Sequence, residues 1–166
     1  MTNSHRYSFR TFTTVDLDMV EQWLIQPSVA RWYPDPDYIE DLEDQLDDEN
    51  IVMQLVCLDN EPFAFVQDYA IHAWSDHPLS YLPDDARGLD TFIGEPQQLN
   101  QGHGTRYLEL LIEHLRASGV PALGIDPHPD NLRAIRVYEK LGFNKGRECS
   151  TEWGLVQLMS LDLASR

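Results

Sequence analysis

The chain has 166 residues, 42% of them hydrophobic, so it is long enough to bury a full core and is expected to fold as one domain over residues 1–166. Twelve basic residues against 28 acidic ones give a formal net charge of −16, which argues against nucleic acid as a partner because phosphates would be repelled. No apolar run approaches the ~20 residues of a membrane span, and residues 1–6 lack the apolar segment of a signal peptide, so a cytoplasmic protein with no membrane partner is expected.

The first half of the chain combines strand and helix patterns. It predicts a strand over 7–12, a helix over 16–26, an acidic helix over 37–49, and strands over 51–58 and 63–73. Asp16 is placed to cap the first helix and Pro27 to end it. The segment 31–36 is a rigid aromatic and acidic loop, and the stretch 75–86, with its prolines and aspartates, is expected to be a loop as well.

The second half alternates more regularly. It predicts a strand over 87–94, a long helix ending near 118, a strand over 122–126, a helix over 132–141, and two closing strands, the first starting at 142 and the second over 153–163. The element order β-α-α-β-β-β-α-β-α-β-β combines a meander with two crossovers, which indicates a mixed sheet covered by helices. The chain contains no internal repeat and no linker.

A glycine-punctuated loop, residues 99–105, opens the long helix. The first N–H groups of a helix have no intrahelical partner, and glycine lets a phosphate approach them closely. The loop therefore predicts an anion site, with a tight strand-to-helix turn as the alternative. It is not a Walker loop, because no Gly-Lys-Ser/Thr follows, and it lacks the third glycine of the dinucleotide fingerprint.

The segment from Asp126 to Phe143 is more specific. Its Asn131, followed by Ala134 and by Tyr138-Glu139-Lys140-Leu141-Gly142-Phe143, resembles the last core helix of the GNAT superfamily of acetyl-CoA-dependent N-acetyltransferases. The glycine loop matches that family's Gln/Arg-x-x-Gly-x-Gly/Ala pattern, except that Leu99 stands where Gln or Arg is usual. The resemblance implies the α/β (α+β) class, with a mixed, mostly antiparallel central sheet flanked by helices, and acetyl-CoA as the donor.

Within the superfamily the chain resembles the aminoglycoside 6'-N-acetyltransferases, through the strand segment Arg87-Gly88-Leu89-Asp90-Thr91-Phe92-Ile93-Gly94 and the early Trp23 and Trp32. Siderophore-type N-acyltransferases share much of this pattern. The expected partner is therefore a small-molecule amine, which is an aminoglycoside or, alternatively, a siderophore precursor. A non-catalytic acyl-CoA-binding module is a third possibility, and the chain is expected to be a monomer or a homodimer.

The resemblance implies a set of residues that bind the donor. The pyrophosphate would be held by backbone N–H groups of Gln101, Gly102, His103, Gly104 and Thr105. The backbone of Phe92 and Ile93 would hydrogen-bond the pantetheine arm and polarise the thioester carbonyl, and Asn131 would contact the pantetheine side.

Reaction chemistry is implied for three residues. Tyr138 would protonate the leaving thiolate, and Asp90 and Asp126 would both anchor the acceptor's ammonium groups, with one of them acting as base directly or through water. The alternatives are a core aromatic for Tyr138 and turn caps for the two aspartates. Glu152 matches an acidic acceptor-binding position, or else is a solvated hairpin residue.

The remaining predictions concern aromatic residues, cysteines and metals. Trp32 and Tyr33 form either a platform for a sugar ring or a packing contact that holds the helix over 37–49 onto the core. Cys57 and Cys149 lie in strand-like stretches, where core thiols are favoured over a disulfide. The six histidines show no metal-ligand spacing, so no metal is expected.

Overall fold

A seven-stranded sheet lies within residues 6–164, the part of the chain that this computed structural model describes. The strands are β1 (Tyr7–Thr11), β2 (Ile51–Leu58), β3 (Glu61–Ala70), β4 (Arg87–Ile93), β5 (Ala122–Ile125), β6 (Asn144–Thr151) and β7 (Gly154–Asp162). They are ordered β1-β2-β3-β4-β5-β7-β6 across the sheet. β4 and β5 pair in parallel, whereas β1–β2, β5–β7 and β6–β7 are antiparallel. The mixed, mostly antiparallel sheet with helices confirms the predicted fold class.

Five helices accompany these strands among the described residues. They are α1 (Leu17–Leu24), α2 (Pro27–Ala30), α3 (Tyr38–Gln45), α4 (His103–Ala117) and α5 (Leu132–Lys140). α5 is delimited as its sequence predicts: the Asn131 side chain accepts a hydrogen bond from Ala134 N–H at 3.3 Å, and Gly142 follows the helix with φ of +104°. The helix that carries Tyr138 is thus set at both ends by local sequence.

Three predicted details are wrong, and one is incomplete. Pro27 follows the end of α1 as predicted, but it also opens α2, because proline fits the first position of a helix, where its missing N–H is not needed. α3 ends at Gln45, short of the predicted 49, and β3 ends at Ala70 because residues 71–73 form a 3₁₀ turn. Asp16 does not cap α1: its carboxylate accepts the Thr13 backbone N–H at 2.9 Å and pairs with Arg10.

The chain divides into two compact units. The first comprises residues up to Gln67 together with Thr91–His103, and its hydrophobic core contains Phe12, Val20, Trp23, Val29, Leu42, Met53, Leu55, Phe65 and Phe92. The second comprises Asp68–Asp90 and the chain from Gly104 onward, and its buried apolar residues include Leu108, Leu111, Leu123, Ile125, Leu158 and Met159. Phe92 and Ile93 therefore belong to the first unit, and Asp90 to the second.

The two cysteines have different surroundings. Cys57 is buried in β2, as predicted, and Cys149 is only half-buried because β6 is an edge strand. Both are free thiols. In residues 6–164 no helix has the length and apolar character to cross a membrane.

Candidate active site

Two aspartates lie side by side on the parallel strands β4 and β5, one in the middle of β4 and one immediately after β5. Leu89 is paired to Ile125, and the next residues in the chain are Asp90 and Asp126. Asp126 is half-buried, and its pKa is raised well above the ordinary carboxyl value, by burial first and by the negative charge of Asp90 second. This acid pair, Asp90 with Asp126, therefore retains a proton to higher pH than an isolated carboxylate would.

The hydroxyl of Tyr138 lies in the electrostatic field of the acid pair. The residue is buried on α5 and its ring packs on Phe143, with 6.0 Å between ring centroids. Burial raises the pKa of Tyr138 most, and neighbouring Tyr107 and the acid pair raise it further. The phenol thus stays protonated and remains a proton donor over the working pH range of an enzyme. Tyr107, on the buried side of α4, was missed by the sequence analysis because its spacing is that of a core residue.

Tyr69 of β3 and Leu79 of the following loop pack on the sheet beside the acid pair. A Cβ built on Gly88 would lie 2.2 Å from Cζ of Tyr69, and one on Gly124 would lie 2.8 Å from Cδ1 of Leu79. Each glycine precedes an aspartate of the pair by two positions. Residues two positions apart share a face of an extended strand. The tyrosine ring and the leucine methyl groups approach the sheet as closely as glycine allows.

A neutral histidine holds this segment. The Leu79 N–H donates to Nδ1 of His77 at 3.0 Å, so Nε2 carries the ring proton and donates to the Tyr69 hydroxyl at 3.0 Å. Burial lowers the pKa of His77, which favours the neutral ring. The contacts of His77 and Leu79 could not be predicted, because loop residues 75–86 carry no periodic pattern from which contacts follow.

The glycine loop has the features that an anion site requires. Gly102 has φ of +78°, a conformation that glycine adopts without strain, and it turns the chain into α4. A Cβ built on Gly104 would meet no described atom within 4 Å, so the space beside the first turn is open to a ligand. His103 is only 3% exposed, and its ring is hydrogen-bonded to Tyr7 and Gln98, so the ring itself is not open to a ligand. These features fit a pyrophosphate group.

The end of β4 is fixed by an aromatic contact within the first unit. The Trp23 indole N–H donates to the Glu95 carboxylate at 2.6 Å, and a Cβ on Gly94 would lie 2.0 Å from the indole. The Gly94 N–H donates to the carbonyl of Phe63 at 2.8 Å. The indole and the strand therefore hold the chain immediately after Ile93.

The family model described as an acetyltransferase (GNAT) domain matches residues 13–151. The chain belongs to the GNAT acetyltransferase family. It is 30% identical over 165 residues to an aminoglycoside N(6')-acetyltransferase type 1 from Klebsiella pneumoniae, a match that covers 93% of this chain and 82% of the relative. The crystal structure of aminoglycoside acetyltransferase AAC(6')-Ib with coenzyme A is similar at a TM-score of 0.83, with 29% identity and 94% of each chain covered. Its complex with coenzyme A and kanamycin gives 0.82, at 30% identity and the same coverage.

Membership in the GNAT family confirms the predicted enzyme class and donor. The protein is an acetyl-CoA-dependent N-acetyltransferase. In this GNAT chain the acid pair, Tyr107 and Tyr138 lie together in the second unit, whereas Phe92 and Ile93 lie in the first.

Of the two predicted platform residues, Tyr33 has its contacts within the protein. Its ring lies 5.2 Å from those of Tyr38 and Phe92, and its hydroxyl donates to the carbonyl of Thr91 at 3.3 Å. These contacts favour the packing alternative for Tyr33. Trp32 is half-buried, and the guanidinium of Arg31 lies over its ring, 4.5 Å from the centroid.

Two other predicted residues have simple surroundings. Asn131 uses its amide oxygen to cap α5, so a contact with a ligand carbonyl would come from its amide nitrogen. Glu152 is exposed in the turn between β6 and β7. Among residues 6–164, no three or more His, Cys, Asp or Glu side chains are grouped in a way that suits a metal ion.

Proposed function

We propose that the protein transfers an acetyl group from acetyl-CoA to a primary amine of a polycationic small molecule, the 6'-amine of an aminoglycoside, by direct attack in a ternary complex. The observation that carries this proposal is the acid pair beside a buried, protonated Tyr138. Similarity to an aminoglycoside N(6')-acetyltransferase and to AAC(6')-Ib with kanamycin supports the choice of acceptor.

The donor is assigned to backbone groups. The N–H groups of residues 101–105 bind the pyrophosphate, and the open space beside Gly104 supports this assignment. Backbone groups of Phe92 and Ile93 hydrogen-bond the pantetheine arm and polarise the thioester carbonyl. Such donors, directed at developing negative charge, are commonly worth ~10²–10³ in rate. The Asn131 amide nitrogen contacts the pantetheine.

The acid pair receives the acceptor as an ammonium ion. The cation restores the charge balance of two adjacent carboxylates, so it lowers the pKa of Asp126 and releases the proton that burial retains there. A carboxylate of the pair then accepts the proton of the ammonium group, directly or through water, and leaves a neutral amine.

Tyr138 completes the proton balance. The neutral amine forms an N–C bond with the thioester carbon, the nitrogen loses its second proton to a carboxylate of the acid pair, the C–S bond breaks, and the phenol donates its proton to the departing thiolate. The acid pair passes both protons from the nitrogen to solvent, and Tyr138 recovers one proton from solvent. Trp32 and Glu152 are proposed to contact more distant parts of a large acceptor.

The test is thiol release from acetyl-CoA with three groups of acceptors: kanamycin-like aminoglycosides, simple polyamines and hydroxylamines. We expect turnover with aminoglycosides and the product acetylated at the 6' position. Turnover with a hydroxylamine and with none of the aminoglycosides would instead support the siderophore-precursor alternative. Turnover with polyamines alone would retain the polycationic class and reject the aminoglycoside.

A further inference from the structure

A histidine inside the glycine loop is buried away from the space that the donor would occupy. His103 is the first residue of α4, yet its side chain is 3% exposed. The ring lies between two aromatic side chains of the first unit, 5.8 Å from the ring of Tyr7 and 5.4 Å from that of Phe63, edge-on to both. A leucine or phenylalanine would fill such a site, so the choice of a polar ring requires an explanation.

Both nitrogens of the His103 ring are hydrogen-bonded. The Gln98 amide oxygen lies 3.1 Å from Nε2, and an oxygen of this kind only accepts, so Nε2 carries the proton. Nδ1 then has a lone pair, which accepts the Tyr7 hydroxyl at 2.6 Å. The neutral ring thereby connects β1 at one end to the segment that precedes α4 at the other.

The residues that His103 connects are those that set the course of the loop. Gln98 ends the 3₁₀ turn over Pro96–Gln98, and the chain then passes through Asn100 and Gly102, both with positive φ. The Gln101 side chain donates to the carbonyl of Gln97 at 2.5 Å, which closes the turn on itself. Tyr7 and Gln98 thus hold the His103 ring from two directions. The held ring in turn fixes the backbone of His103, which lies between Gly102 and Gly104.

We propose that His103 is a positioning residue for the donor. Through Tyr7 and Gln98 it holds the glycine loop in the form that binds a pyrophosphate, without contacting the phosphate itself. This inference rests on the proposed assignment of the pyrophosphate to residues 101–105. Hydrogen bonds are directional, so the two bonds made by the ring fix the rotation of the loop. An apolar side chain would fill the same volume without fixing that rotation.

The test compares two donors that differ in the pyrophosphate. Acetyl-CoA contains it and S-acetylpantetheine lacks it, and both carry the reacting thioester. Tyr7→Phe removes only the hydroxyl, His103→Phe removes the polar ring, and the double variant measures their coupling. Ser118→Ala is the control, because it removes a hydroxyl that donates to the His114 carbonyl at 2.8 Å, at the opposite end of α4 from the glycine loop.

We expect Tyr7→Phe to raise KM for acetyl-CoA by about 2–12-fold, the size of one net hydrogen bond, with kcat at saturating donor within about 2-fold. Rates with S-acetylpantetheine should be unchanged, and the double variant should lose no more than His103→Phe alone. Ser118→Ala should leave KM for acetyl-CoA unchanged. Tyr7→Phe keeps the ring, so it decides the question even if His103→Phe does not fold.

Two results would overturn the proposal. Equal losses of rate with acetyl-CoA and with S-acetylpantetheine would assign His103 a general structural role. An unchanged KM for acetyl-CoA in folded Tyr7→Phe would show that the Tyr7–His103 hydrogen bond does not contribute to donor binding. Calorimetric titration of the unmodified protein with acetyl-CoA separates these results from failure of the proposed function. Binding without turnover of any acceptor would reject the acceptor and leave His103 testable by affinity, whereas absence of binding would reject the loop assignment and this inference with it.

Discussion

Gly104→Ala should make the free protein more stable and the donor weaker in binding. The added methyl group meets no described atom within 4 Å, so it introduces no clash. Replacing glycine by alanine in a helix is worth about 0.5–1 kcal/mol through lower chain entropy of the unfolded state. Because Gly104 lies in the first turn of α4, we expect a gain toward the lower end of this range, which corresponds to an increase of about 1–3 °C in Tm for a chain of this length.

The same methyl group occupies the space assigned to the pyrophosphate. Moving a phosphate away from the first turn weakens one or two charge-assisted hydrogen bonds of about 1.5–3 kcal/mol each. We therefore expect Kd for acetyl-CoA to rise about 10–100-fold. Thermal unfolding of the free protein and calorimetric titration with acetyl-CoA measure the two effects separately.

Gly94→Ala is the matched control for a glycine that is needed for packing. Its methyl carbon would lie 2.0 Å from the Trp23 ring, against an ordinary contact of about 3.5–4.0 Å, so the indole has to retreat from Glu95. Overpacking of this kind costs about 1–3 kcal/mol, and Tm should fall.

If Gly104→Ala binds acetyl-CoA within about 2-fold of the unmodified protein, the pyrophosphate does not lie beside this turn and the reasoning is wrong.

Two further predictions concern the buried titratable groups. Tyr138→Phe removes the proposed proton donor and should lower kcat by about 10²-fold or more with acetyl-CoA affinity unchanged by titration; an unchanged kcat would remove Tyr138 from the mechanism. For Asp126 the folded-state pKa lies above the unfolded one, so the folded protein loses stability as pH rises from the ordinary carboxyl value, near ~4, through the raised pKa. Asp126→Asn should therefore raise Tm at neutral pH, by a margin that shrinks as pH falls toward 5, while kcat/KM for the acceptor drops about 10–100-fold through loss of a charged contact. A Tm margin that is the same across this pH range would contradict the burial argument.

The sequence predicted those parts of the site that depend on local pattern. Neighbouring parallel strands, of which β4 contains Asp90 and β5 is followed by Asp126, follow from two crossover units, and the cap at Asn131 and the stop at Gly142 follow from helix-end chemistry. Such features need only a few consecutive residues, since the backbone geometry they require is set within one turn or one strand.

Contacts between residues far apart in the chain were not predictable. Tyr7 and His103 are 96 positions apart, and Trp23 and Glu95 are 72 apart. The packing of strands and helices determines which distant residue each of these side chains contacts. Periodicity in a single sequence carries no information about such long-range pairs. The same applies to Tyr69 and Leu79, whose approach to Gly88 and Gly124 depends on the course of an irregular segment.

This difference explains why the donor is easier to identify than the acceptor. Pyrophosphate recognition uses backbone N–H groups, so a glycine spacing and a helix start are sufficient to indicate it. In the proposed function the acceptor is bound by side chains, and the charge of the acid pair selects among acceptors. Burial and the negative charge of Asp90 raise the pKa of Asp126, so a cationic ligand gains by stabilising the ionised pair and a neutral ligand does not. An acceptor that carries several ammonium groups would therefore stabilise two carboxylates held this close together.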